Sequence, residues 1–218
     1  MRTPLLSVSL TIAGVMFLAA ETRTMDFTAD AVGQAPRGFT FGLTQKTGAP
    51  GAWVVQDDGG NKVLAQTNAD STRSRFPVAV VTDVTAADVD VSVRFKPIAG
   101  RVDQAAGLVW RYQDEDNYYI VRANALEDNV VLYKIQGGRR TDLPVKGAGR
   151  TYGKPAEVPT NAWSTLRVVA AGPRFEVYFN GNKLYEVEDT TFAKAGRAGV
   201  WTKADSVTQF DDLTILTR

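Results

Sequence analysis

From Thr24 onward, apolar and polar side chains alternate with a period of two, and this period constrains the fold more than any other feature of the chain. "DVDVSVRF" (88–95) places Val89, Val91, Val93 and Phe95 on one face, with Asp88, Asp90, Ser92 and Arg94 on the other. That is the pattern of a strand with one buried face. "RFEVYFNGNKLYEVED" (174–189) reads as a hairpin about Asn180-Gly181-Asn182, because an Asn-Gly pair supplies the positive φ values of a tight turn. "WVVQDDGGNKVLAQ" (53–66) repeats the device around Asp58-Gly59-Gly60-Asn61. Further strands are predicted over 77–82, 107–112, 118–124, 130–136, 164–171, 197–203 and 207–216. No later stretch sustains helical spacing with caps over three turns. About a dozen short strands between Gly, Asn, Asp and Pro turns predict an all-β jelly-roll β-sandwich of two antiparallel sheets. The Gly- and Pro-rich stretch 144–161 is expected to be a surface loop, and the two arginines of "GGRR" (137–140) solvated decoration at a hairpin turn.

The first twenty residues differ from the rest. Arg2 is their one charge and an apolar run follows from Pro4 to Ala20, the pattern of a signal peptide cut near Ala19 and Ala20. Leu18 stands where a small residue is preferred, so an uncleaved anchor is the alternative. The expected organisation is a leader over 1–20 and one domain over 25–218, secreted or periplasmic. Without the leader, 24 basic residues face 24 acidic ones, since Arg2 is one of the 25 in the full chain. A neutral chain offers no electrostatic footprint for nucleic acid, and no membrane contact is expected beyond the leader. There is no cysteine, hence no disulfide and no thiol nucleophile. There is no histidine either, which removes Ser-His-Asp catalysis, imidazole bases and histidine metal sites together.

"GLVWRYQDEDNYYIVRAN" (107–124) carries two arginines in otherwise apolar and aromatic strands. With a two-residue turn at Asp116-Asn117, Arg111 faces Arg122, and Val109, Ile120 and Asn124 share their side. A loop with an odd number of residues separates the two cations. Two opposed arginines repel, so an acid, an anionic ligand or open water must stand between them. They read either as ligand donors or as salt-bridge partners of a neighbouring strand. Sugar sites combine an aromatic face with polar donors. Trp201 is the aromatic favoured for that role, because "WTKADS" alternates Trp201, Lys203 and Asp205 along one face. The acidic turns "QDEDN" (113–117) and "DDGGN" (57–61) offer oxygen ligands of the kind Ca²⁺ takes, although neither matches an EF-hand. No nucleotide-binding glycine motif is present.

"MDFTADAVGQAPRGF", "AGLVWRYQDEDNYYIVRANALEDNVVLYKI" and "GRAGVWTKADSVTQFDDLTI" recur in this order in secreted bacterial domains. The chain resembles them over about 25–218. They have the concanavalin A-like lectin/glucanase fold; the nearest family is that of the 3-keto-disaccharide hydrolase domains, and laminin-G-like modules are more distant. The resemblance implies that "FDDLTI" returns to pair near "MDFTAD". It also implies sugar chemistry, yet this chain lacks the E-x-D-x-x-E strand of family sixteen glucanases, and has "TNAWST" (160–165) where the keto-disaccharide family shows G-E-W-N. The expected function is recognition of a glycan or sugar-derived ligand on a concave sheet by Arg111, Arg122, Asn124, Lys134, Trp201 and Lys203, with no cofactor. A glycoside or 3-keto-disaccharide hydrolase, with Asp90 or Asp205 as carboxylate base, is the alternative. A laminin-G-like adhesion module is the third reading.

Overall fold

In the structure, a computed structural model that describes residues 20–218, the alternating segments pair into sixteen strands among the described residues. In chain order these are β1 (Thr22–Met25), β2 (Phe39–Leu43), β3 (Trp53–Asp58), β4 (Asn61–Gln66), β5 (Pro77–Val81), β6 (Val89–Ala99), β7 (Ala105–Asp114) and β8 (Asn117–Asn124). They continue with β9 (Asn129–Gln136), β10 (Arg139–Asp142), β11 (Lys154–Pro155), β12 (Ser164–Ala171), β13 (Arg174–Phe179), β14 (Asn182–Glu188), β15 (Arg197–Trp201) and β16 (Val207–Thr217). All pairings are antiparallel, and two sheets form a sandwich. The first runs β14-β13-β12-β6-β16-β4-β3, with β1 also on β16; the second runs β10-β9-β8-β7-β15-β5-β2, with β11 also on β9. The expected closure holds: Met25 lies opposite Leu213 and Thr22 opposite Leu216. The first strand therefore starts three residues before the expected boundary at 25. The leader expected over 1–20 lies outside the described residues, apart from Ala20.

Val89, Val91, Val93 and Phe95 enter the core between the sheets, as their alternation requires, and meet Leu108, Trp110, Tyr119 and Val121 there. Each such side chain contributes about 1.5–3 kcal/mol by leaving water. The hairpin turns also form as read. Asn180 and Gly181 take φ of 47° and 81°, and Gly59 and Gly60 take 69° and 94°.

The second sheet differs, because its outer face is buried too. Val78, Val109, Ile120, Val131, Ile135 and Trp201 form a second apolar cluster there, joined by Phe76 from the segment before β5. Two glycines make room for it. A Cβ at Gly107 would lie 2.5 Å from Ile120 Cδ1 and 3.2 Å from the Trp201 ring, and one at Gly199 would lie 2.1 Å from the Ala79 carbonyl oxygen. Phe76 stacks on Trp201 at 5.4 Å. Its neighbour Arg75 is fully buried and donates to the carbonyls of Ala49 (2.6 Å), Asn68 (3.2 Å), Pro50 (3.1 Å) and Ala204 (2.5 Å). This one side chain fixes the segment that lays Phe76 over the sheet.

The β7–β8 register departs from the facing-arginine expectation. The turn is Glu115-Asp116, because Asp114 pairs with Asn117. Between Trp110↔Tyr119 and that pair, β7 advances four residues while β8 advances two. The excess forms a bulge in which Arg111 takes φ +47°. Tyr112 consequently joins the outer face, beside Tyr118 at 5.5 Å. Two other expectations are corrected. Arg140 of "GGRR" is not solvated decoration: it is half-buried and lies over the rings of Tyr133 and Phe76, because β10 pairs it with Ile135 on the packed face. The stretch 144–161 is mostly loop, but β11 lies within it, and Val145 and Val158 enter the core. Among the described residues no helix is long and apolar enough to cross a membrane.

Replacing Arg75 with methionine leaves four carbonyls without their donor. A stability loss of about 3–5 kcal/mol is expected in urea unfolding at unchanged far-UV signal. A loss below about 1 kcal/mol would contradict the anchoring role.

Candidate functional site

Arg122 and Asn124 share the outer face of the second sheet with Tyr118 and Ile120, by simple alternation along β8. The segment leading into β7 meets them there. Gly100, at φ +150°, lies so close to the Asp103 carbonyl that a Cβ would stand 1.8 Å from its oxygen. Asp205 then takes the backbone N–H groups of Arg101 (2.7 Å), Val102 (3.0 Å) and Asp103 (3.0 Å). The tight segment points the Asp103 carboxylate at Asn124.

The result is a continuous polar network. Asn124 Nδ2 donates to Asp103 Oδ1 at 2.6 Å and to Glu127 Oε1 at 3.0 Å. Lys203 pairs with Asp103 Oδ2. Arg122 donates to Glu127 Oε2 at 2.7 Å, to Asn129 Oδ1 at 2.7 Å and to the Tyr152 hydroxyl at 3.2 Å. Arg122 and Asn124 are fully buried and Asp103 is nearly so, while Glu127 and Tyr152 are 36% and 44% exposed. The network thus has a buried root and an open rim. Tyr152 sits at φ +56°, a strained conformation for a tyrosine, and its ring meets Tyr133 edge-on at 6.0 Å.

The two carboxylates are driven apart in acidity. Burial pushes Asp103 above the usual aspartate range despite Lys203. Burial also acts upward on Glu127, but the Arg122 charge and hydrogen bond, with help from Asn129 and Lys203, hold it below the usual glutamate range. The Asp103 shift carries a sign for stability. A carboxyl with a raised folded pKa favours the fold below its unfolded pKa of 3.8, and that contribution is lost as pH rises through the folded value.

Four of the six residues expected to bind ligand lie on this face: Arg122, Asn124 and Lys203 in the network, and Trp201 in the packed layer beside it. The Trp201 indole is fully buried under Phe76, so it walls the site and has no open face for a ring. Arg111 and Lys134 lie elsewhere. Arg111 closes a corner of the sandwich, donating to the carbonyls of Ala87 (2.7 Å), Phe192 (2.8 Å) and Gly172 (2.6 Å) and to Asp88 (3.2 Å). Lys134 pairs with Asp189 at 3.1 Å, and the same carboxylate accepts from the Tyr119 hydroxyl. Asp90 is held in a two-pronged pair with Arg167 at 2.7 Å and also meets Arg218. Asp205 is committed to its three backbone N–H groups, which outweigh burial and keep it below the usual aspartate range.

The acidic turns are occupied locally: Asp114 accepts from Asp116 N–H and Asn117, and Asp57 from Gly60 N–H. Among the described residues no cluster of three carboxylates is placed to hold a metal ion. Asp103, Glu127 and Tyr152 were not singled out from the sequence. Glu127 had one local signal, since Asn124 forms a turn with Leu126 N–H (3.0 Å) and thereby returns the chain to its own side chain.

A carbon-detected NMR titration is expected to find Asp103 above 3.8 and Glu127 below 4.5, with Lys203→Met raising Asp103 further. The reverse order of the two carboxyls would refute this electrostatic reading.

Comparison with known structures returns the same architecture. The carbohydrate-binding module CBM66 of Bacillus subtilis aligns at 19% identity and TM-score 0.60, covering 81% of this chain and 94% of the module. The cellulose-induced protein Cip1 aligns at 15% identity and TM-score 0.57, covering 88% of this chain and 96% of its own. Domain 4 of AbnA, an extracellular arabinanase of Geobacillus stearothermophilus solved with arabinotriose, aligns at 16% identity and TM-score 0.53, covering 82% of each chain. At these identities the likeness establishes the jelly-roll sandwich. No curated protein sequence matches the chain. A family model described as the 3-keto-alpha-glucoside-1,2-lyase-like domain matches residues 40–216. That span covers most of the chain, which belongs to the 3-keto-alpha-glucoside-1,2-lyase-like domain family.

Proposed function

We propose that this β-sandwich recognises carbohydrate at the rim where Tyr152 stands over the network of Arg122, Glu127, Asn124, Asp103 and Lys203. One observation carries the reading: an exposed aromatic ring, held in strained backbone, stands beside convergent hydrogen-bond donors and acceptors. Pyranose rings need this combination, an apolar surface for their C–H face and polar partners for their hydroxyls. The Tyr152 ring would take the sugar face, and Glu127 and Lys203 would take hydroxyls. The middle of the sheet, filled by Phe76 and Trp201, would form the inner wall. Fold similarity to CBM66 and to the arabinotriose-bound arabinanase domain supports a sugar ligand. The leader, as read from the sequence, directs the domain out of the cytoplasm. N-terminal sequencing of secreted or periplasmic protein is expected to start near residue 21; a start at Met1 would indicate an anchor.

The Glu127 carboxylate beside the Lys203–Asp103 pair favours a second reading, chemistry on a 3-keto-glucoside. A ketone at C3 acidifies the proton on C2. In this reading Glu127 removes that proton, the C1–O bond breaks as a C1=C2 double bond forms, and the Lys203 ammonium, positioned by Asp103, gives a proton to the departing oxygen. No histidine is required.

Calorimetry with an oligosaccharide panel, run beside product analysis with 3-keto-disaccharides, separates the readings. Under the first, Tyr152→Ala and Glu127→Gln weaken glycan binding about tenfold or more, with no turnover. Turnover lost in both Asp103→Asn and Glu127→Gln would establish the second. Absence of both binding and turnover would remove both.

A further inference from the structure

Among the described residues Arg140 is a cation without an acid. Its guanidinium lies over the Tyr133 ring at 4.6 Å and the Phe76 ring at 5.1 Å, and its Nη1 is buried with no hydrogen-bond partner among them. Its neighbours on this face are all served: Arg122 holds Glu127, Lys203 holds Asp103, and Arg150 holds Asp142, which lies opposite Tyr133 in the β9–β10 register. Two more unpartnered polar groups belong to the same place. Among the described residues the Tyr133 hydroxyl and Arg122 Nε are buried without a partner, and the Arg122 guanidinium lies 5.8 Å from both the Tyr133 and the Tyr152 ring. Three buried donors thus gather about one tyrosine, with one uncompensated positive charge among them.

Leaving such groups unpaired away from water is costly. The aromatic faces hold the Arg140 guanidinium in position without neutralising it. A planar anion would neutralise the Arg140 charge, since a guanidinium takes a carboxylate in a matched fork. We propose that Arg140, with Tyr133 and Arg122 Nε, receives the carboxylate of an acidic sugar unit, a hexuronate, bound against Tyr152. This inference rests on the carbohydrate reading above and specifies the class of sugar.

Calorimetry tests it with an oligogalacturonate and a glucuronate-bearing xylo-oligosaccharide. Each is compared with its methyl ester and its neutral counterpart, on the whole domain and on Arg140→Gln. At least one acidic ligand is expected to bind about tenfold or more tightly than its ester. The advantage should shrink with added salt and vanish in Arg140→Gln, while affinity for the neutral sugar stays unchanged. Equal affinity for acid and ester, or an advantage that persists in Arg140→Gln, would overturn the carboxylate site alone. Binding of no sugar, acidic or neutral, would overturn this site and the carbohydrate reading together.

Discussion

Burial of the second sheet on both faces is the constraint to which the rest of the molecule answers. An antiparallel sheet ordinarily leaves one face to water, but here Trp201, Ile120 and Phe76 cover the outer face. Backbone must then run close beneath large side chains, which explains Gly107 and Gly199. A side chain laid across a sheet also needs an anchor at its base, and Arg75 provides it through four carbonyls. Polar groups have no place in the middle of such a face. They collect where strands end, at the junction of β7, β8 and β9.

That junction is internally compensated. Each buried charge of the Asp103–Asn124–Glu127–Arg122 network has a partner, so the network persists in a low-dielectric setting where one unpaired ion would cost several kcal/mol. Compensation also sets the asymmetry between its two acids. Asp103 is buried with a lysine and an amide, Glu127 is half-open with a guanidinium, and the proton is held more firmly on the first.

Much of the fold was legible because period two and turn chemistry are local. Val89 through Phe95 and the Asn180-Gly181 turn required no tertiary information. The near-continuous apolar runs of β7 and β8 carried a further message, that both faces of that sheet are covered. The bulge at Arg111 was illegible, because nothing in an arginine announces a positive φ; the corner that clasps it does so through the carbonyls of Ala87, Gly172 and Phe192, remote in sequence. The site was half legible. Arg122 and Asn124 stood out as polar groups on a strand, and Lys203 as one that continues the alternation of Trp201 just past the end of β15. Asp103, Glu127 and Tyr152 lie in connections, and only the fold brings them to the same place. Asp205 has the residue type of a base, yet its surroundings are three N–H groups that a linear sequence does not display.

The position of β16 has a consequence for the chain in time. It follows the fifteen other described strands in the chain, and it lies between β6 and β4 in the middle of the first sheet, where it also receives β1. A ribosome therefore makes those strands before the seam of the first sheet exists. Until residues 207–217 emerge, β3–β4 and the block from β6 to β14 face each other across a gap with unpaired edges. Native closure waits for β16, and a stop within it leaves two open half-sheets in place of a shortened sandwich.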